Sequence, residues 1–216
     1  MLNIERYINE LMTSNCYILW DDESRRCLVI DPGSEKSLRE IEFIKEKELA
    51  LDYIILTHEH TDHNWGVNAL VESFSEAKVV CHKICKENIT MESSAYFRLY
   101  YDTPTYSYKI HKVDIEIENQ NWILDWNGID VRFIHTPGHS MGSVCILVNR
   151  WLFTGDTLMQ YKPYINKRNG SKEHYARSVD MLMKTYPGDM QIYPGHGEVF
   201  LLKKYNASYG ISNKED

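Results

Sequence analysis

Thr57-His58-Glu59-His60-Thr61-Asp62-His63 begins where a short apolar strand, Leu51 to Thr57, ends, and it places four potential metal ligands within six residues. On an extended backbone, residues two apart point the same way, so His58 and His60 can grip one metal ion together. Asp62 and His63 arrive as the chain turns into a helix, which aims them at a neighbouring position. The bland alternative is a polar strand-to-helix loop carrying solvated histidines. Such a density of ligand types is rare outside metal sites, and the metal reading is preferred.

Three further fragments repeat the placement of a ligand type just after an apolar strand. They are Thr136-Pro137-Gly138-His139-Ser140, Phe153-Thr154-Gly155-Asp156-Thr157 and Tyr193-Pro194-Gly195-His196-Gly197. Sites of layered α/β proteins gather where loops converge at strand ends. Each fragment is a weak signal alone. With the first cluster they supply five histidines and two aspartates, enough for two divalent metal ions with room left for water.

Around these fragments the chain reads as interspersed strands and helices. Strands are expected over Asn15 to Trp20, Cys27 to Ile30, Lys78 to Cys81, Gly128 to His135, Val144 to Val148, Trp151 to Thr154 and Gln191 to Tyr193. Ser34 is the expected N-cap of a helix carrying Leu38, Ile41 and Ile44 on one face. A second helix is expected from Asn64 to Phe74. A third, from Ser171 to Tyr186, repeats Val179, Leu182, Met183 and Tyr186 on one buried stripe. The pattern predicts layered α/β with mixed sheets in a single domain over residues 1–216.

Composition narrows the partners. A net charge of −7 repels polyanions, so no nucleic acid is expected. The longest purely apolar run, Val144 to Val148, is too short to span a bilayer, so no membrane is expected either. The first residues show no secretory pattern, and five irregularly spaced cysteines do not read as a disulfide framework. A cytoplasmic protein acting on a small-molecule substrate is expected.

The four motifs, in this order, resemble the metallo-beta-lactamase superfamily, and more closely its glyoxalase II-like, single-domain hydrolases. Asn15-Cys16-Tyr17 and Asp31-Pro32-Gly33 match as well, and Asn169-Gly170-Ser171 followed by a helix with Ser178 resembles the single-domain branch. The resemblance implies a four-layer αβ/βα sandwich with the site at one edge. It implies that His58, His60 and His139 hold one metal ion, that Asp62, His63 and His196 hold a second, and that Asp156 bridges them. It further implies a metal-dependent hydrolase of small thioesters or esters, using a hydroxide held between two metal ions, most often zinc, with iron or manganese as alternatives. Asp62 and Asp156 would be the catalytic carboxylates.

Presence of both His63 and Asp156 argues against antibiotic hydrolysis. The chain ends soon after His196, without the C-terminal helical domain of full-length glyoxalase II. Leu158-Met159-Gln160-Tyr161-Lys162 also departs from the Gly-Arg pair often found after that family's Gly-Asp-Thr-Leu-Phe. Weak dependence on glutathione is therefore expected. The alternative within the same family is a persulfide dioxygenase-type oxidoreductase with a single iron.

Some features admit two readings. Tyr96, Phe97, Tyr100, Tyr101, Tyr106 and Tyr108 suit a lid, ordinary packing or a homodimer interface. Cys81-His82-Lys83-Ile84-Cys85 offers at most three ligands where a structural zinc site wants four, so Cys81 is read as a core thiol. His135 is read as an ordinary sheet histidine. Lys162, Lys167 and Arg168 suit either a substrate carboxylate or a solvated loop.

Overall fold

Alternation within one strand sets the layering. In β2 (Asn15–Asp21), Tyr17 and Leu19 enter one hydrophobic core while Cys16, Ile18 and Trp20 enter another. A strand covered on both faces carries apolar residues at nearly every position, because successive side chains point to opposite sides. The computed structural model describes residues 1–91, 106–118 and 121–210.

The first sheet runs β1 (Leu2–Ile8), β2, β3 (Arg26–Ile30), β4 (Ala50–Ile55), β5 (Lys78–His82) and β6 (Ile115–Ile117), in that spatial order. Its first three strands pair antiparallel and the rest parallel. The second sheet contains β7 (Asn121–Trp126), β8 (Ile129–His135), β9 (Val144–Val148), β10 (Trp151–Gly155), β11 (Gln191–Pro194) and β12 (Phe200–Leu201). Within it only β10 and β11 are parallel.

Between the sheets, Leu28, Ile55 and Val80 pack with Phe133, Ile146 and Phe153. Outside the first sheet lie α1 (Leu38–Glu46), α3 (Val67–Ser73) and α4 (Lys83–Ile89), which bury Ile44, Val67, Leu70, Cys85 and Ile89. Outside the second, α5 (Lys172–Thr185) lays Tyr175, Val179 and Leu182 on Ile134, Cys145, Leu152 and Ile192. Each such side chain, taken fully out of water, contributes about 1.5–3 kcal/mol. The four layers are those expected.

Several boundaries differ from the sequence reading; three of them move because a tertiary contact competes and one because of a local turn. Ser34 is not the cap of α1. Its hydroxyl accepts from Glu10 N and donates to Asn9 Oδ1, and Ser37 occupies the cap position at φ 42° without a side-chain cap bond. The strand expected to reach Thr57 stops at Ile55, since Thr57 N donates to Asp31 Oδ1 at 2.8 Å instead. The helix expected from Asn64 to Phe74 is two: α2 (Thr61–Asn64) and α3. At the break Gly66 N donates to Pro32 O at 2.8 Å, and a Cβ there would lie 2.1 Å from Ser37 Oγ. The strand expected from Gly128 starts one residue later. Asn127 (φ 52°) and Gly128 (φ 80°) instead form the two-residue turn of a β7–β8 hairpin, and such turns need positive φ at both positions.

All five cysteines are free and buried, so Cys81 is the core thiol expected of it. Among the described residues no helix is long and apolar enough to cross a membrane.

Glu40 on α1 carries a testable consequence. It is 1% exposed and neither carboxylate oxygen has a hydrogen-bond partner. Burial raises its pKa above the ordinary value of 4.5. A pKa raised on folding gives stability that is full below the unfolded value and lost as pH rises through the folded one. Glu40→Gln removes the group that causes this loss. The variant should melt a few degrees above the parent at about pH 8, where 1 kcal/mol shifts Tm by roughly 2–4 °C, and lose that lead near pH 4. Thermal unfolding at both pH values is the check; the same shift at each would trace the effect to packing rather than ionisation.

Candidate metal centre

All seven sequence-predicted residues come together at one edge of the sandwich. His58, His60 and the short helix α2 follow β4, His139 follows β8, Asp156 follows β10 and His196 follows β11. Ligand atoms of His58, His60, His139 and Asp156 lie within 4.8 Å of one another, as do those of Asp62, His63 and His196. In the first group His60 Nδ1 is 3.1 Å from His58 Nε2 and 2.9 Å from His139 Nε2. In the second, Asp62 Oδ2 is 3.2 Å from His196 Nε2 and 3.5 Å from His63 Nε2.

Asp156 stands between them. Its Oδ2 is 3.3 Å from His139 Nε2 in one group, while Oδ1 is 3.5 Å from His63 Nε2 and 3.7 Å from His196 Nε2 in the other. Oδ1 is buried with no hydrogen-bond partner. A buried carboxylate oxygen left unpaired costs free energy unless a cation meets it. The donor set is imidazole nitrogen and carboxylate oxygen, which suits zinc, iron or manganese. The residues therefore fit two metal ions.

The imidazoles are aimed from behind. His58 Nδ1 lies 3.0 Å from Thr57 Oγ1, which donates to Asp31 Oδ2 at 2.6 Å. His63 Nδ1 meets the same Asp31 oxygen at 3.0 Å. His139 Nδ1 lies 3.0 Å from Tyr164 O, and His196 Nδ1 lies 3.1 Å from Met12 O. A hydrogen bond from Nδ1–H leaves the Nε2 lone pair facing the centre, the tautomer a metal ligand needs. Met12 and Thr13 sit at φ 50° and 54°, an uncommon backbone for residues other than glycine, where the Met12 carbonyl turns toward His196.

Electrostatics differ between the two groups. Burial and the facing imidazoles push His58 well below its ordinary value, and burial takes His139 down to about 4. Both present lone pairs at neutral pH. Burial also opposes charge on His63, but Asp62, Asp156 and Asp31 outweigh it and push its pKa up to about 10. Burial likewise opposes ionisation of Asp62, yet His63 and His196 hold its carboxyl below the usual range. The same carboxylates that favour a proton on His63 favour a cation in its place.

Asp31, Thr57 and the carbonyls of Met12 and Tyr164 were not singled out as site residues from sequence. For Asp31 a signal existed, because it follows an apolar strand just as Asp156 does. The other candidates stay outside the ligand groups. His135 stacks on His82 with ring centroids 4.2 Å apart and sends Nε2 to Met141 O. Lys162, Lys167 and Arg168 are exposed. Tyr96, Phe97, Tyr100 and Tyr101 lie outside the described residues. Tyr106 OH accepts from Trp65 Nε1 and donates to Glu35 Oε1, and Tyr108 OH donates to Asn64 Oδ1, so this pair borders α2.

Residues 10–196 match the model of the Metallo-beta-lactamase superfamily. The chain is 27% identical over 215 residues to "Probable polyketide biosynthesis zinc-dependent hydrolase BaeB" of Bacillus velezensis, covering 96% of this chain and 86% of that protein. It is 26% identical over 210 residues to a hydroxyacylglutathione hydrolase of Pelagibacter ubique, covering 95% and 74%. Among solved structures, the BLEG-1 B3 metallo-beta-lactamase superposes with a TM-score of 0.82 at 24% identity, covering 94% of this chain and 95% of that one. A di-iron-bound TTHA1623 does so with a TM-score of 0.73 at 22% identity, covering 93% and 96%. These two superpositions speak to the fold alone.

Proposed function

The chain belongs to the metallo-beta-lactamase superfamily, and from that membership we propose a metal-dependent hydrolase of small thioesters or esters working with two zinc ions. The observation that carries the reading is Asp156, whose two oxygens face two separate ligand groups. His58, His60 and His139 would hold one ion, Asp62, His63 and His196 the other. When bound, the ions supply a water nucleophile at neutral pH and polarise the carbonyl under attack. Asp62 stays ionised near neutrality and would both hold an ion with His63 and His196 and help orient the nucleophile. His63 and His58 are kept from turning by Asp31 and Thr57, so the reacting geometry costs little reorganisation. A thioester suits this site because a thiolate leaves without needing a proton donor. The zinc-dependent and hydroxyacylglutathione-cleaving descriptions of the two relatives support the choice of metal and bond.

The test is elemental analysis of the purified protein alongside turnover of a short thioester, an ester, a β-lactam and a persulfide. About two zinc ions per chain are expected, with thioester hydrolysis lost on chelation and recovered on adding metal back. Full hydrolysis by metal-free protein would sink the proposal. So would a single iron with oxygen uptake on persulfide, or a β-lactam cleaved in preference to every thioester.

A further inference from the structure

Glu59 stands between two proposed ligands yet faces away from both. His58 Nε2 and His60 Nδ1 converge at 3.1 Å on the metal side. The Glu59 carboxylate turns into the protein, where Oε2 accepts from Ser140 Oγ at 2.7 Å and Oε1 accepts from Asn88 Nδ2 at 3.3 Å. Glu59 is 9% exposed and Ser140 is wholly buried. Among the described residues no Lys or Arg forms an ion pair with it. A carboxylate in such a place is costly unless its hydrogen bonds are well used.

Those bonds join three separate pieces of chain: the His58–His60 loop, the loop after β8, and α4. Ser140 is the neighbour of His139, and Ser140 N donates to Ser143 Oγ at 3.1 Å, which fixes that turn. His139 and His60 lie 79 residues apart in sequence, and their ring nitrogens meet at 2.9 Å. A buried hydrogen bond between the sequence neighbours of those two histidines, Glu59 and Ser140, is the kind that holds two loops in register. The other ligand group has no such link to Glu59: His63 is held directly by Asp31, which reaches His58 only through Thr57, and His196 by Met12 O.

We propose that Glu59 is a positioning residue for the His58/His60/His139 site alone, holding His139 against His60 through Ser140. The inference rests on the two-ion reading of the centre and adds to it a division of labour: Glu59 serves one ion, Asp31 chiefly the other.

Zinc affinities of the metal-free protein, measured in competition with a chromogenic chelator, test this without any substrate. The parent is expected to show two sites. Glu59→Ala should weaken one of them about ten- to hundredfold, the usual loss when a group supporting a ligand is removed, and leave the other within about twofold. Ser140→Ala removes the same hydrogen bond from its other end and should reproduce the loss, with the double variant no worse than Glu59→Ala. Glu59→Gln keeps an acceptor for Ser140 and should recover most of the affinity. Asp31→Asn should weaken chiefly the opposite site, where Asp31 meets His63 directly, and the His58 site less, through Thr57, so that it and Glu59→Ala combined leave neither site tight. Should Glu59→Ala not fold, Ser140→Ala and Glu59→Gln decide the matter by the same measurement. Equal weakening of both sites, or two unaltered sites, overturns the role given to Glu59. A parent that binds fewer than two ions overturns the reading of the centre instead.

Discussion

Asp156→Asn is expected to cost about a thousandfold or more in kcat/KM, some 4 kcal/mol of transition-state stabilisation, with the protein still folded. Asn matches Asp in shape, so nothing in the packing need change. What changes is charge and the number of acceptors. Oδ2 faces His139 at 3.3 Å and Oδ1 faces His63 at 3.5 Å, so each oxygen serves one group. An amide replaces one acceptor by a donor and removes the negative charge that keeps two cations close together. Metal content should fall along with turnover. Cys81→Ala is the paired control. Cys81 is fully buried in the core between the first sheet and its helices, and trimming it should cost stability of about 1–2 kcal/mol with little effect on kcat/KM. Comparable losses of turnover in the two folded variants would show that Asp156 does not bridge.

How much was legible before the fold was known follows from where each residue looks. The seven residues of the proposed centre all sit at strand ends in dense or repeated local patterns, so spacing along the chain was enough to single out the residues that the fold brings together. Asp31 has the same placement after β3, yet its partners, Thr57 and His63, are 26 and 32 residues away. From sequence it stood only within Asp31-Pro32-Gly33, and the fold shows it steering two imidazoles. Alternation along the extended backbone turns Glu59 away from the side that His58 and His60 share, but its partner Ser140 is 81 residues distant and no local pattern points to it. Strands β2, β3 and β9 were readable because burial on both faces makes their apolar runs nearly continuous. The edge strands were not. Leu2–Ile8 and Asn121–Trp126 are only partly buried and mix polar with apolar residues, while Ile115–Ile117 and Phe200–Leu201 are too short to show any period.

Gly195→Ala should be nearly as damaging as Asp156→Asn, although it adds only a methyl group and removes no ligand. A Cβ at Gly195 would lie 2.2 Å from Asp156 Oδ1 and 2.9 Å from His63 Cε1. The backbone has little freedom to retreat, because Gly195 N donates to Gly155 O at 2.8 Å and Gly195 O accepts from Asn15 N at 2.7 Å. The side chains must give way instead, and the one displaced first is the carboxylate oxygen facing His63 and His196. Loss of the ion held by Asp62, His63 and His196 is expected, with kcat/KM down about a hundredfold or more, since a misplacement near 1 Å costs on that order. Gly197→Ala separates this from a general intolerance of the loop. Gly197 lies at φ 81°, but a Cβ there meets nothing within 4 Å. That variant should lose roughly 1 kcal/mol of stability from backbone strain and keep both ions. Metal analysis and kcat/KM on the two folded variants decide it. If Gly195→Ala retains two ions and full turnover, the tight approach of this loop to Asp156 has no bearing on the centre.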